Sequence, residues 1–168
     1  KRGQNIVVTD MSFPMCATVV HKQAEKGVKP KFIKHKGGVI ETDEWVKAID
    51  DDTGAVMVDQ AGWFNGLLHD VKAIAEAAHD HGAYLVVDGT QSAGAIKWDI
   101  HGSGADFLAT SCYKWLYGGP YNNSVGFFYM REGLLEELQA DYVGGQTLPP
   151  EQSNRNTTDG FDLYDYEP

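Results

Sequence analysis

The residues of this chain that could do chemistry lie at the ends of two short apolar runs. The first run, Tyr84–Asp88, ends in a carboxylate, and the amide of Gln91 follows three residues later. The second run, residues 106–111, ends in a serine hydroxyl and leads through Tyr113 to the amine of Lys114. Buried strands of an open α/β sheet face a ligand site at their carboxyl ends. We therefore expect acid, amide, hydroxyl and amine groups to meet in one site.

This set of groups suits pyridoxal phosphate (PLP). PLP needs a lysine amine to hold its aldehyde as a Schiff base, a carboxylate to keep its ring nitrogen protonated, and donors for its phosphate. Asp88 is the candidate carboxylate and Lys114 the candidate amine, and from a turn the Gln91 amide could reach the ring hydroxyl oxygen. A strand-end aspartate or a lone lysine is common in α/β proteins. It is the combination of acid, amide, hydroxyl and lysine at the strand ends that favours PLP.

The Asp-x-x-Gln turn and the Ser-x-Tyr-Lys segment, in this order and spacing, resemble the class V aminotransferase family of fold-type I PLP enzymes. That family includes cysteine desulfurases, kynureninases and isopenicillin N epimerase-like proteins. The resemblance implies that Asp88 pairs with the ring nitrogen, Gln91 bonds the phenolic oxygen, Ser111 and Tyr113 bind phosphate, and Lys114 forms the internal aldimine. It also implies an amino-acid substrate and a homodimer.

Other segments follow the family's order, including a Gly-Gly-Pro turn at 118–120 and an apolar strand at 125–129. Phe13, within Ser-Phe-Pro, is similar to the kynureninase-type aromatic residue that stacks on the cofactor, and is a further candidate cofactor-binding residue. Two positions depart from well-known relatives. Desulfurases usually have histidine at the position of Tyr113, and kynureninases usually have histidine at the position of Gln91. The resemblance therefore identifies the family without selecting a branch.

Apolar periodicity predicts alternating strands and helices along the chain. The predicted strands are at 6–8, 31–33, 55–58, 84–88, 106–111 and 125–129, and the helices at 16–24, 43–49, 71–78 and 132–139. Such a series predicts an α/β fold, a three-layer αβα sandwich with a mostly parallel sheet. By resemblance this is the large PLP-binding domain of fold-type I enzymes. Residues 144–168, rich in Gly, Pro, Asn, Thr and Asp, are predicted to form a loop.

The chain of 168 residues is short for a complete fold-type I enzyme. By resemblance such an enzyme has a longer N-terminal part with a phosphate-binding loop and a C-terminal small domain. An apolar strand begins almost at once, no initiator methionine precedes it, and the other end has no helical finish. We expect the middle of a larger protein, truncated at both ends. Residues 1–143 would be a partial large domain and 144–168 a segment leading toward the small domain.

Composition narrows the class of partner. The formal net charge of −10 argues against nucleic acid, whose phosphates attract basic surfaces. No apolar run is long enough to span a bilayer and no signal-peptide pattern opens the chain, so we expect no membrane association and a cytoplasmic location.

Cysteines and histidines predict no further chemistry. The two cysteines, Cys16 and Cys112, are too few for a disulfide framework, and Cys112 is interpreted as a small buried residue. No metal site is predicted from the six histidines. Two of them, His79 and His81, are expected to close a helix before Gly82, where a positive charge suits the carbonyl end.

The reaction type stays open, because transamination, desulfuration, β-elimination, racemisation and kynurenine hydrolysis share their early steps. Two other classes of function also remain open. A dinucleotide-binding domain fits the alternation, but no Gly-x-Gly-x-x-Gly follows the first strand. A catalytically silent fragment, retaining only the fold and a dimer surface, fits the short length.

Overall fold

The computed structural model describes residues 4–116 and 125–138 of the chain. In these residues six strands form one sheet in the order β2-β1-β3-β4-β5-β6. The strands are β1 (Asn5–Thr9), β2 (Lys29–Ile33), β3 (Thr53–Asp59), β4 (Tyr84–Asp88), β5 (Phe107–Ser111) and β6 (Gly126–Met130). The first five are parallel to one another, and β6 is antiparallel to β5. The prediction of an α/β fold with a mostly parallel sheet is confirmed.

Helices cover both faces of the sheet. These are α1 (Pro14–Lys22), α2 (Thr42–Ala48) and α3 (Val71–Asp80), and a further short helix, α4 (Leu134–Glu137), follows β6 in the chain. From β1 the chain moves outward to β2 and then returns across β1 to β3 and onward to β4. Because crossovers between parallel strands are right-handed, this reversal places α1 on one face and α2 and α3 on the other.

The main hydrophobic core lies between the sheet and the layer of α2 and α3. Alternate residues of the strands point into it, among them Val7, Val56, Val58, Leu85, Val87 and Leu108. From the helices, Trp45 of α2 and the apolar side of α3 complete this core. On the opposite face α1 packs against β1 and β2, and its buried Val20 lies outside the main core.

Helix α3 forms as its periodicity predicts. Its buried residues are Val71, Ile74, Ala75 and Ala78, the predicted stripe. Asp70 caps the N-terminus, its side chain accepting a hydrogen bond from the backbone N–H of Ala73 (3.1 Å). After the helix, Gly82 adopts a φ of 69°, a left-handed conformation that glycine accommodates without strain.

A buried carboxylate at the start of β5 joins several elements. Asp106 is fully buried and accepts hydrogen bonds from the backbone N–H of Leu85 (2.8 Å) and from Nε of Arg131 (2.8 Å). Nε2 of His79, in the last turn of α3, lies 2.9 Å from Oδ2 of the same carboxylate. His79 therefore has a specific acidic partner in addition to the helix end that the sequence indicated.

Several predicted boundaries shift by a few residues. Helix α1 starts at Pro14, a residue suited to the first helical turn, and ends in a 3₁₀ turn at Gln23–Lys26. The helix predicted at 132–139 is a single turn, Leu134–Glu137, and Gln139 lies outside the described residues. The predicted turn at 118–120 and the predicted loop at 144–168 also lie outside them.

The chain divides into two compact units, Lys1–Glu132 and Gly133–Pro168. The first contains the whole sheet with α1 to α3, and the described part of the second contains α4. The division of the chain at residue 143 stays a prediction. None of the helices described here has the length and apolar character needed to cross a membrane.

Candidate functional site

A pocket of about 250 Å³ opens at the carboxyl ends of the parallel strands. Its walls come from the segments that follow β1, β3, β4 and β5, which meet where the strand order reverses between β1 and β3. Ligands of open α/β sheets bind at such a topological switch point. The lining residues are Phe13, Met15, Cys16, Asp59, Ala61, Trp63, Asp88, Thr90, Gln91, Ser111, Tyr113 and Lys114.

The turn after β4 holds the Asp88 carboxylate in a defined orientation. Oδ1 of Asp88 accepts a hydrogen bond from the backbone N–H of Thr90 (2.8 Å). The turn is closed by the backbone N–H of Ser92, which donates to the carbonyl of Gly89 (3.0 Å). Gln91, one residue before Ser92, is thereby carried to the pocket wall.

The segment after β5 brings the hydroxyl and amine groups to the same pocket. Oγ1 of Thr90 accepts a hydrogen bond from the backbone N–H of Ser111 (3.3 Å), which joins this segment to the turn after β4. Nζ of Lys114 lies 5.6 Å from the centre of the Tyr113 ring. Cys112, between Ser111 and Tyr113 in the sequence, is buried, as the sequence interpretation expected.

Phe13 forms an aromatic wall of the pocket. Its ring meets the Trp63 ring edge to face, with centroids 5.8 Å apart at 83°. Nε1 of Trp63 donates to the carbonyl of Met11 (3.1 Å), and the backbone N–H of Phe13 donates to Oδ2 of Asp59 (2.9 Å). Asp59 at the end of β3 and Trp63 in the segment after it thus fix the loop that carries Phe13.

Two carboxylates and a thiol form the floor of the pocket. Asp59 and Asp88 are register partners on the adjacent strands β3 and β4, so their side chains emerge on the same face of the sheet. The Cys16 thiol donates to Oδ2 of Asp88 at 3.5 Å. One ligand atom from each of these three side chains lies within 4.8 Å of the other two.

The floor shifts the ionisation of its own groups. Burial raises the pKa of Asp59 to about 6; the Asp88 charge adds to this rise, and the Phe13 N–H and the Lys114 charge oppose it. Burial also raises the pKa of the Cys16 thiol to about 12. The nearby charges of Asp88 and Asp59 add to this rise, because they disfavour a thiolate. At neutral pH Cys16 is therefore a thiol that donates a hydrogen bond.

The structure brings all six predicted site residues to one pocket: Phe13, Asp88, Gln91, Ser111, Tyr113 and Lys114. Their individual roles stay predictions. Sequence reasoning missed Asp59, Cys16 and Trp63. The signal for Asp59 was present, because an aspartate follows the apolar run Ala55–Val58 directly, as Asp88 follows Val87. Nothing comparable in the sequence pointed to Cys16.

The pocket fits the cofactor that the resemblance implies. Asp59 is 6% exposed, and its Oδ1 has no hydrogen-bond partner among the described residues. A buried acid with an unsatisfied oxygen calls for a cationic or hydrogen-donating ligand. A ring with a protonated nitrogen meets that need, and the Lys114 amine in the same pocket suits an aldehyde.

The fold and pocket together define an α/β protein with a polar ligand site at its topological switch point. The chain belongs to the class V aminotransferase family, whose family model matches residues 1–163.

Individual relatives carry different enzyme names. The uncharacterised aminotransferase YcbU of Bacillus subtilis is 35% identical over 136 residues, which are 81% of this chain and 35% of that protein. A probable cysteine desulfurase of Methanothermobacter thermautotrophicus is 31% identical over 149 residues, 88% of this chain and 36% of that protein. A kynureninase of Pseudomonas fluorescens is 40% identical over 94 residues, 56% of this chain and 22% of that protein.

A solved structure shows the same fold. The apo structure of a cysteine desulfurase from Thermococcus onnurineus NA1 matches with a TM-score of 0.72 and 29% identity. The match covers 86% of this chain and 36% of that chain. The chain thus spans about a third of the length of such relatives.

Proposed function

We propose that the chain carries the cofactor-binding core of a PLP-dependent enzyme that acts on an amino acid, with Lys114 as the residue that holds the cofactor covalently. The observation that carries this proposal is the convergence, in one pocket, of the Lys114 amine with the acid floor of Asp59 and Asp88. Membership of the class V aminotransferase family supports it.

Each of the remaining groups has a part in holding the cofactor. Asp88, oriented by the Thr90 N–H and the Cys16 thiol, would accept the hydrogen bond of the protonated ring nitrogen. The Gln91 amide would donate to the phenolic oxygen. Phe13, held by its N–H bond to Asp59, would stack on the ring.

Phosphate binding falls to the segment after β5. Ser111 and Tyr113 both line the pocket, and their hydroxyl groups are the donors assigned to the phosphate. The bond from the Ser111 N–H to Thr90 couples this end of the pocket to the turn that holds Asp88. One turn would therefore position both ends of the cofactor.

PLP, when bound, supplies an electron-accepting ring that stabilises negative charge on the α-carbon of an amino acid. The chain's own contribution to catalysis is then the Lys114 amine, which, once displaced by substrate, would move the proton at that α-carbon. The Phe13 and Trp63 rings would cover one wall of the pocket and limit the access of water.

The proposal includes transamination, desulfuration or related lyase chemistry, since the chain is similar to proteins named as aminotransferase, cysteine desulfurase and kynureninase. A homodimer and a cytoplasmic location, both expected from the sequence, form part of the same proposal.

A second candidate is a catalytically silent fragment that keeps the fold and a dimer surface. The observation in its favour is the span of the match, 35% of the length of the Bacillus subtilis relative. Adding amino acids to the PLP-loaded chain separates the candidates, because only an active enzyme turns them over.

The test of cofactor attachment is a PLP titration followed by visible absorbance. The wild-type chain and a Lys97→Ala control are expected to produce the absorbance band of lysine-bound PLP, whereas Lys114→Ala is expected to lose it. Lys97 is exposed and lies outside the pocket, so the control removes one lysine without touching the site. A band in Lys114→Ala equal to that of wild type would contradict the proposal.

A further inference from the structure

Two groups on the pocket floor have no assigned part in the resemblance. Asp59 comes from the end of β3 and Cys16 from the first turn of α1. They meet Asp88, from the end of β4, with one ligand atom of each side chain within 4.8 Å of the other two. Three separate elements of the fold thus place these groups together.

Asp59 is in an environment that is unfavourable without a ligand. The residue is 6% exposed, and of its two carboxylate oxygens only Oδ2 is satisfied, by the N–H of Phe13 at 2.9 Å. Oδ1 has no hydrogen-bond partner in the part of the chain that the structure describes. Leaving a buried charged acceptor unsatisfied costs free energy, which a cationic donor in the pocket would recover.

The neighbours of Asp59 indicate what kind of donor this is. Asp88 faces it from β4, the Cys16 thiol from α1, and the Lys114 amine acts on it electrostatically from the segment after β5. The two acids are direct neighbours across the sheet, so their like charges disfavour joint ionisation until a cation intervenes. The Cys16 thiol is already engaged in donating to Asp88.

The floor therefore offers two acceptor carboxylates and one occupied donor. Such a receptor suits a single positively charged N–H group and repels an anion. The protonated ring nitrogen of PLP is a group of this type, whereas its phosphate is excluded from the floor by charge.

Resting on the proposed function, we propose that Asp59 is a second cofactor-binding acid that acts with Asp88 on the one protonated ring nitrogen of PLP, and that Cys16 is a positioning residue whose thiol holds the Asp88 carboxylate. Asp59 then does two things at once, because its other oxygen fixes the loop that carries Phe13.

The first test measures the dissociation constant of PLP for the wild-type chain, Asp59→Asn and an Asp80→Asn control at several pH values. Asp80 is exposed at the end of α3, outside the pocket, so its substitution makes the same charge change elsewhere. Near pH 8, Asp59→Asn is expected to bind PLP about tenfold to a hundredfold more weakly, as for loss of one hydrogen bond to a charged group. Borohydride reduction should still show attachment at Lys114 at saturating PLP.

The difference between wild type and Asp59→Asn should shrink as pH falls through about 6, because Asp59 of the unliganded wild type is then protonated. Equal PLP affinity of wild type and Asp59→Asn at every pH would overturn the inference and leave the proposed function intact. Failure of the wild-type chain to attach PLP at Lys114 would overturn both.

The second test concerns Cys16. Cys16→Ala removes the donor to Asp88 and should weaken PLP binding severalfold, whereas Cys16→Ser keeps an O–H donor and should restore it. The pH midpoint of the bound-PLP absorbance should move in the alanine variant and return in the serine variant, a response that altered packing alone would not produce. Identical behaviour of the two variants would overturn the positioning role.

A third measurement needs no cofactor. Iodoacetamide alkylation of Cys16, followed by peptide mass spectrometry, reports how strongly the two acids suppress its thiolate. Asp59→Asn should be alkylated at Cys16 severalfold faster than wild type, with the buried Cys112 as an internal reference. An unchanged alkylation rate would show that Asp59 does not act on Cys16. It would overturn the inference that Asp59, Asp88 and Cys16 interact as one cluster.

Discussion

At the scale of single residues, the ionised form of Asp59 is energetically unfavourable in the unliganded pocket. Burial and the neighbouring Asp88 charge oppose its ionisation, and one of its oxygens has no hydrogen-bond partner among the described residues. Acids with a shifted pKa are concentrated at functional sites, where a bound ligand can provide the hydrogen bond or the positive charge that the protein itself does not. Substitution of a residue that destabilises the unliganded protein but strengthens ligand binding should therefore increase the stability of the protein and weaken ligand binding.

The stability of Asp59→Asn tests this cost directly. The carboxyl has a pKa of about 6 in the folded chain, against an ordinary value of 3.8. The folded state therefore keeps this proton to a higher pH than the unfolded state does, and the Asp59 contribution to stability falls as pH rises from about 4 through about 6. Asp59→Asn should stabilise the chain by about 1–3 kcal/mol near pH 8 and by almost nothing near pH 4.

Urea unfolding at the two pH values, with Asp80→Asn as the matched control, measures this difference. A variant that is less stable than wild type near pH 8 would show that the ionised Asp59 is satisfied in the unliganded protein. The same variant should bind PLP more weakly, so stability and cofactor affinity are expected to change in opposite directions.

Asp88, Gln91, Ser111 and Lys114 could be predicted because acid, amide, hydroxyl and amine groups follow the ends of two predicted strands. Phe13 and Tyr113 were candidates only through the family resemblance. Asp59 follows the same strand-end pattern, but it belongs to neither of the two motifs that carry the resemblance. The position of Cys16 depends on how α1 packs against β1 and β2, which is a tertiary relation. No local pattern encodes the distance from its thiol to Asp88.

At the scale of elements, Asp106 connects β4, the end of α3 and the residue that follows β6. It receives the Leu85 N–H from β4, Nε of Arg131 from just after β6, and a contact from His79 at the end of α3. Because the carboxylate is fully buried, it depends on these groups in place of water.

Asp106→Asn is expected to destabilise the chain by about 1–3 kcal/mol, because an amide replaces one acceptor oxygen with a donor that faces another donor. Arg131 and His79 are each about 40% exposed, so water recovers part of the loss. The urea midpoint of unfolding, compared with that of Asp80→Asn, measures the effect. Equal midpoints for the two variants would contradict the structural role of Asp106.

Element types followed from periodicity, whereas boundaries and strand direction did not. The stripe of α3 is strong enough to define the helix, since every predicted apolar position is buried. Strand β6 was predicted to exist, but a period of two is the same for parallel and antiparallel strands. The helix predicted at 132–139 forms only one turn in the described residues, Leu134–Glu137, because apolar spacing does not specify where a helix ends.

At the scale of the whole molecule, the reversal of strand order creates the pocket. With β1 and β3 adjacent and their crossovers leaving in opposite directions, the strand ends between them are left open to a ligand. Residues far apart in the sequence, Phe13, Asp59, Asp88 and Lys114, meet there as a consequence of topology. The relatives named as aminotransferase and probable cysteine desulfurase match 81% and 88% of this chain.

The central claim is that this pocket attaches PLP through Lys114, and borohydride reduction of the PLP-treated chain followed by peptide mass spectrometry tests it most directly. The account predicts a single pyridoxyl adduct on the peptide that contains Lys114, absent from the Lys114→Ala chain. No adduct, or adducts spread over exposed lysines in wild type and Lys114→Ala alike, would contradict it.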